Sequence, residues 1–247
     1  VISLIDLHKY FQSQKVLDGL NLEIPDGRIT ILLGRSGSGK SVTLKHIIGL
    51  IRPDSGKVIV DDQDIATMDT PTLNQFRRRF GMLFQDGALF DSMTVGENIA
   101  FPLIEHTRLS KKEIVSKVAE TLEMVGLSNI EQKIPSELSG GMRKRVGLAR
   151  AIVLQPKILL FDEPTTGLDP LMIDNINRLI VDTQKQLNVT AFIISHDVEA
   201  TLEIAHKVAV LHKGKIVEAG PPDQIRQSQH PFVRAFLDRK EGEFVEL

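Results

Sequence analysis

The stretch Gly34-Arg35-Ser36-Gly37-Ser38-Gly39-Lys40-Ser41 constrains this chain more than any other. It follows the apolar run Ile29-Thr30-Ile31-Leu32-Leu33 and precedes a helix-like run that begins near Lys40, so a strand, a glycine loop and a helix N-terminus come in that order. Backbone N–H groups without intrahelical partners point out of such a loop, and glycines remove the Cβ atoms that would keep phosphate oxygens at a distance. Lys40 is then placed to meet β- and γ-phosphates, and Ser41 to ligate Mg²⁺. The pattern predicts a nucleoside triphosphate site inside an α/β fold and leaves the kind of NTPase open.

Composition narrows the setting. A chain of 247 residues can bury one large α/β core with an insertion, and a net charge of −2 argues against a general nucleic-acid binder. Absence of cysteine excludes disulfides and thiolate metal sites. Val1-Ile2-Ser3-Leu4-Ile5-Asp6 turns polar too early for a signal peptide, and no apolar run approaches the ~20 residues that cross a bilayer. The expectation is a protein soluble by itself, with any membrane spans supplied by another subunit.

Along the chain, Ile2–Leu7 and Leu20–Ile24 alternate as strands, Pro25-Asp26-Gly27 is a turn, Lys57–Val60 a strand, and Asp61–Asp64 a turn. Arg77, Arg78 and Arg79 read as a solvated face at the end of a short helix. From Asp86 to Glu137 no run is strand-like, and Ile114, Val115, Val118, Leu122 and Val125 fall on one helical face, which marks residues 86–155 as an inserted helical subdomain. After it, apolar strands at Lys157–Phe161 and Thr190–Ile194 alternate with helices, followed by a strand pair near Val208–Leu211 and Lys215–Glu218. That alternation predicts a mostly parallel core within one domain over 1–247. Residues 221–247 read as a helical tail, frayed at Glu241-Gly242-Glu243.

Four further places carry chemistry. Asp162 ends an apolar strand, where such an NTPase needs a carboxylate for Mg²⁺, and Glu163 after it is placed to polarise the attacking water. His196 ends a second apolar strand, where ligands sit in such sheets, and Gln85 ends a third with an amide oxygen that reaches Mg²⁺ or water. Ser139-Gly140-Gly141 starts a helix suited to an anion; either it caps that helix and nothing more, or it meets a phosphate held by another copy.

Taken together, Gly34–Ser41, Gln85, Leu138-Ser139-Gly140-Gly141-Met142, Ile158–Glu163, Gly167-Leu168-Asp169 and His196 resemble the nucleotide-binding subunits of ATP-binding-cassette transporters over essentially the whole chain. The resemblance implies a RecA-like P-loop core with a mostly parallel sheet, an N-terminal antiparallel β subdomain and an inserted α-helical subdomain. It implies ATP and Mg²⁺ as cofactors. It also implies Walker A at Gly34–Ser41 and Walker B at Ile158–Asp162, Glu163 as general base, Gln85 as the Q-loop residue, Asp169 in the D-loop and His196 as the switch histidine. Phe11, next to Tyr10, matches the aromatic that stacks on adenine. Two subunits of this family sandwich two ATP molecules, so Ser139 and Gly141 would complete the other copy's site.

The stretches Phe84–Phe90 and Phe101–Thr107, with Met142 in place of the usual signature glutamine, are similar to the Mla-type branch that energises phospholipid traffic between bacterial membranes. That branch implies a peripheral position on the cytoplasmic face of the inner membrane, an MlaE-like permease, an MCE-domain protein, a STAS-like regulator and no nucleic acid. Leu89 and Phe90, after the turn-forming Gly87, are the expected outward contacts for the permease. A GTPase would need an Asn-Lys-x-Asp reader, and a DNA-repair or chromosome ATPase would need heptads between Ser41 and Ser139; the sequence has neither.

Overall fold

The computed structural model describes residues 1–238. In chain order the elements are β1 (Ile2–Phe11), β2 (Gln14–Ile24), β3 (Ile29–Gly34), α1 (Lys40–Ile47), β4 (Ser55–Val60), β5 (Gln63–Asp64), α2 (Thr70–Phe76), β6 (Phe80–Leu83), α3 (Val95–His106) and α4 (Lys111–Met124). They continue as α5 (Gly140–Ile152), β7 (Ile158–Asp162), α6 (Pro170–Leu187), β8 (Thr190–Ser195), α7 (Val198–Leu202), β9 (Lys207–His212), β10 (Lys215–Gly220), α8 (Pro222–Arg226) and α9 (Pro231–Leu237). Two compact units result: one is residues 1–75 together with Phe192 onward, the other Phe76–Ala191.

The first unit contains an antiparallel sheet of order β2-β1-β4-β5. Its register pairs Leu4 with Leu22 and Val58, and Ile2, Leu4, Leu20, Leu22 and Ile24 are buried, so one face is apolar while Ser3 and Glu23 pair on the other. β1 runs on to Phe11 instead of stopping near Leu7, because β2 starts at Gln14 and offers a ladder partner to the polar His8-Lys9-Tyr10 stretch. Likewise Gln63-Asp64 is a short strand against Ile59 and Val60, and only Asp61 and Asp62, both at positive φ, form the turn. Strand β3 is buried at every residue, pairs in parallel with β9 and borders β8; β10 joins antiparallel.

The second unit contains the parallel pair β6 and β7 with helices α3 to α6. Thr94 with Glu97, and Ser110 with Glu113, form reciprocal capping boxes that start α3 and α4. Val118 and Leu122 of α4 are buried as their spacing predicts, whereas Val115 is 69 % exposed. Val115 lines, with Ile114 and Val118, an open groove of about 500 Å³ between α3 and α4, and it stands at the edge of the apolar face, about 100° around the helix from Ile114. The basic run also departs from a solvated face: Arg77 and Arg79 are half-buried and the Arg79 guanidinium lies 4.6 Å over the Phe76 ring, leaving Arg78 exposed. The expected tail has two short helices, α8 and α9; Glu241-Gly242-Glu243 lies outside the described residues. No helix among the described residues is long and apolar enough to cross a membrane.

Candidate active site

In the first unit the buried strand β3 delivers the chain to the glycine loop, and α1 starts on it. Arg35, Ser36 and Gly37 are exposed at the loop's apex, whereas Gly39 and Lys40 are buried. Gly39 is the N-cap of α1 at φ 108°, and a Cβ there would lie 3.1 Å from the Val16 carbonyl oxygen, so both conformation and space call for glycine. Lys40 Nζ donates to Gly34 O at 2.7 Å and Arg35 O at 3.2 Å, which folds the loop around the ammonium. Ser38 Oγ is buried with no protein partner, and a Cβ at Gly34 would come within 2.7 Å of it. A buried hydroxyl in a loop with no side-chain cap on its helix fits a site for anionic oxygens. The Ser41 hydroxyl residue is exposed at the first turn.

The loop lies against β2 through Val16 and Leu17, and Phe11 stands at the β1 end of the same hairpin. Tyr10 and Phe11 are both exposed, on opposite faces of the strand, each with a lysine ammonium 5.7 Å from its ring, Lys15 and Lys9 respectively. His196 follows the last residue of β8, the strand beside β3, and is exposed; Asp197 next to it caps α7 through Ala200 N.

In the second unit β6 and β7 run parallel with Leu83 opposite Phe161, so Gln85 and Asp162 leave the same end of the pair. Gln85 is exposed and Asp162 half-buried. Glu163 adopts φ 51°, a left-handed conformation unusual for a residue with a side chain. Its carboxylate accepts from Thr166 Oγ1 at 3.3 Å. Ser139 caps α5, its Oγ accepting from Met142 N at 3.2 Å, and still has a proton to donate. Gly140 and Gly141 face Leu168 and Met172: a Cβ on Gly141 would lie 3.0 Å from the Met172 sulfur. Asp169 caps α6 through Met172 N at 3.0 Å.

Two cations of α5 reach the loops that carry these residues, and neither stands out in a reading by motif. Lys144 Nζ donates to Pro164 O and Thr166 O, both at 2.7 Å. Arg150 donates to Gly87 O and Ala88 O at 3.0 and 2.9 Å, just after Gln85. Burial pushes both down from their ordinary pKa, and for Lys144 the carboxylates of Asp86 and Glu163 act against that shift. A lysine in register with the buried Gly141 and Leu148 of an amphipathic helix was the available signal. Among the described residues no three His, Asp or Glu side chains cluster into a metal cage.

Comparison with known proteins gives one consistent result. A family model described as ABC transporter matches residues 17–166. The chain is 45 % identical over 232 residues to the probable ribonucleotide transport ATP-binding protein mkl of Mycobacterium leprae, covering 94 % of this chain and 67 % of that one. It is 43 % identical over 223 residues to the intermembrane phospholipid transport system ATP-binding protein MlaF of Escherichia coli K12, covering 90 % and 83 %. Among solved structures it is similar to cbiO1 from Clostridium perfringens, part of the ABC transporter complex cbiONQ (TM-score 0.86, 30 % identity, covering 96 % and 94 %). It is also similar to a dimeric ATP-binding cassette in a post-hydrolysis state bound to ADP and Pi (TM-score 0.82, 29 % identity, covering 90 % and 99 %).

Proposed function

Because this chain belongs to the ABC transporter family as an ATP-hydrolysing, ATP-binding subunit, we propose that Gly34–Ser41 holds the triphosphate, that Glu163 takes the proton of the attacking water, and that His196 contacts the γ-phosphate. Phe11 stacks on adenine, and Ser41, Asp162 and Gln85 would hold Mg²⁺, which would supply positive charge to the phosphate oxygens. The observation that carries this reading is the glycine loop itself, with its buried unpartnered Ser38 Oγ and the inward-bonded Lys40. Two copies close around two ATP molecules, and the Ser139 hydroxyl with the N–H groups of Gly140 and Gly141 completes the partner copy's site, a reading supported by the dimeric cassette among the similar structures.

The cargo proposed is phospholipid, moved between two membranes by a permease on whose cytoplasmic face this subunit sits; an MCE-domain protein and a STAS-like regulator complete the assembly. Support comes from the similarity to MlaF and from the Phe84–Phe90 stretch. Phe90 is 43 % exposed and packs edge-on against Phe101, ring centroids 5.3 Å apart, which presents an aromatic surface close to Gln85 in sequence. Phe90→Asp should release the permease during co-purification with ATP binding intact; wild-type recovery of the permease would move the contact elsewhere.

The test of function is reconstitution of the subunit with its co-purifying membrane protein in liposomes. ATP-dependent transfer of a labelled phospholipid is expected, and Glu163→Gln should lower turnover by about 10²-fold or more while ATP still binds, since an amide cannot accept the proton. Uptake of a ribonucleotide with no lipid transfer would replace the cargo; normal phosphate release by Glu163→Gln would replace the base.

A further inference from the structure

We propose that Lys144 is a positioning residue for hydrolysis, holding the turn that carries Glu163 by tethering the carbonyls of Pro164 and Thr166 to α5. The proposal rests on the reading of Glu163 as the base. Lys144 is 4 % exposed, and an ammonium so deep in the protein is costly unless its donors are used. Two of its three are used at 2.7 Å, on main-chain oxygens that no side-chain substitution elsewhere could replace. Between those oxygens the chain makes a tight turn: Thr166 N donates back to Glu163 O at 3.3 Å, and Thr166 Oγ1 donates to the Glu163 carboxylate at 3.3 Å. Fixing the Thr166 carbonyl therefore fixes the residue whose hydroxyl orients the carboxylate.

The turn needs such a tether. Glu163 stands at φ 51°, where the side chain crowds its own carbonyl, so the conformation persists only if its surroundings impose it. A carboxylate that takes a proton from water in the transition state must be held to a fraction of an ångström. Lys144 also sits little more than a turn from Ser139, the N-cap of the same helix.

The test uses the full chain in steady-state ATP hydrolysis. Lys144→Met, close in length and without donors, should lower kcat about tenfold or more while KM and the ADP Kd stay within about twofold. Lys144→Arg, which offers donors to the same carbonyls, should recover part of that loss. Thr166→Val keeps the carbonyl and removes the hydroxyl; it should lower kcat by a smaller factor, and the two losses should combine to less than their product, because they act on one carboxylate. Should Lys144→Met fail to fold, Lys144→Arg and Thr166→Val decide the matter through their kcat alone. Wild-type kcat in Lys144→Met, or a loss divided equally between kcat and nucleotide affinity and not relieved by Lys144→Arg, overturns the proposal. Glu163→Gln is run beside them: if it turns over normally, the base assignment fails, whereas a dead Glu163→Gln beside a normal Lys144→Met removes the tether alone.

Discussion

Helix α1 follows a glycine N-cap and α5 begins on a glycine, and both bury a lysine near their start, yet they use their hydrogen-bond donors differently. At α1 the N-cap is Gly39, with no side chain to satisfy the helix-start N–H groups, and Lys40 bonds back to carbonyls five and six residues earlier in its own loop. At α5 the N-cap Ser139 already accepts from Met142 N, and Lys144 bonds to carbonyls 20 and 22 residues further along the chain. The first arrangement leaves the start of α1 without a side-chain cap, as the proposed triphosphate cradle requires. The second is a partly satisfied helix start tied mechanically to the loop that carries Glu163. One should therefore govern nucleotide binding, and the other hydrolysis of the bound nucleotide.

The sharpest way to break this contrast is Ser139→Arg, which places a long cation at the α5 start. Turnover should fall to background, while each subunit still binds ATP, titrated with a fluorescent analogue, at wild-type affinity. If binding fell as well, the α5 start would belong to the primary cradle and the distinction would collapse.

Lys40→Ala tests the other side. Losing a charged donor to phosphate costs about 1.5–3 kcal/mol, or roughly 10- to 150-fold in the ATP Kd, read by the same titration. An unchanged Kd with reduced turnover would show that Lys40 serves only the transition state, making the two lysines alike.

The contrast between the two helix starts also separates what is legible in the sequence from what is not. The cradle is legible because every part of it, from Gly34 to Ser41, is local: the buried strand, the glycines and the lysine lie within one short segment. The tether is not, since the acceptors of Lys144 are main-chain oxygens that any residue would supply and that lie some twenty residues away. Arg79 misleads at short range instead, since its aromatic partner Phe76 three residues back turns an apparently solvated run into a half-buried one; in the outer half of β1, pairing with β2 overrides a polar sequence. Val115 misleads for a different cause: a helical face drawn from spacing is broader than the surface its neighbours cover, and its edge looks into the groove beside α3.

The smallest effect is expected at Met142, the residue that departs most visibly from the family's signature. Its contribution to the α5 start runs through the backbone N–H that Ser139 Oγ accepts, and that N–H is present whatever the side chain. The side chain is half-buried and unbranched, and glutamine is unbranched, similar in length and about as favourable in a helix. Met142→Gln should consequently leave kcat at saturating ATP within about threefold of wild type, as expected where a swap changes neither a cap nor a core volume. A loss as deep as that of Ser139→Arg would mean that the thioether itself meets the partner copy, and the α5 start would then be an apolar contact as much as an anion site.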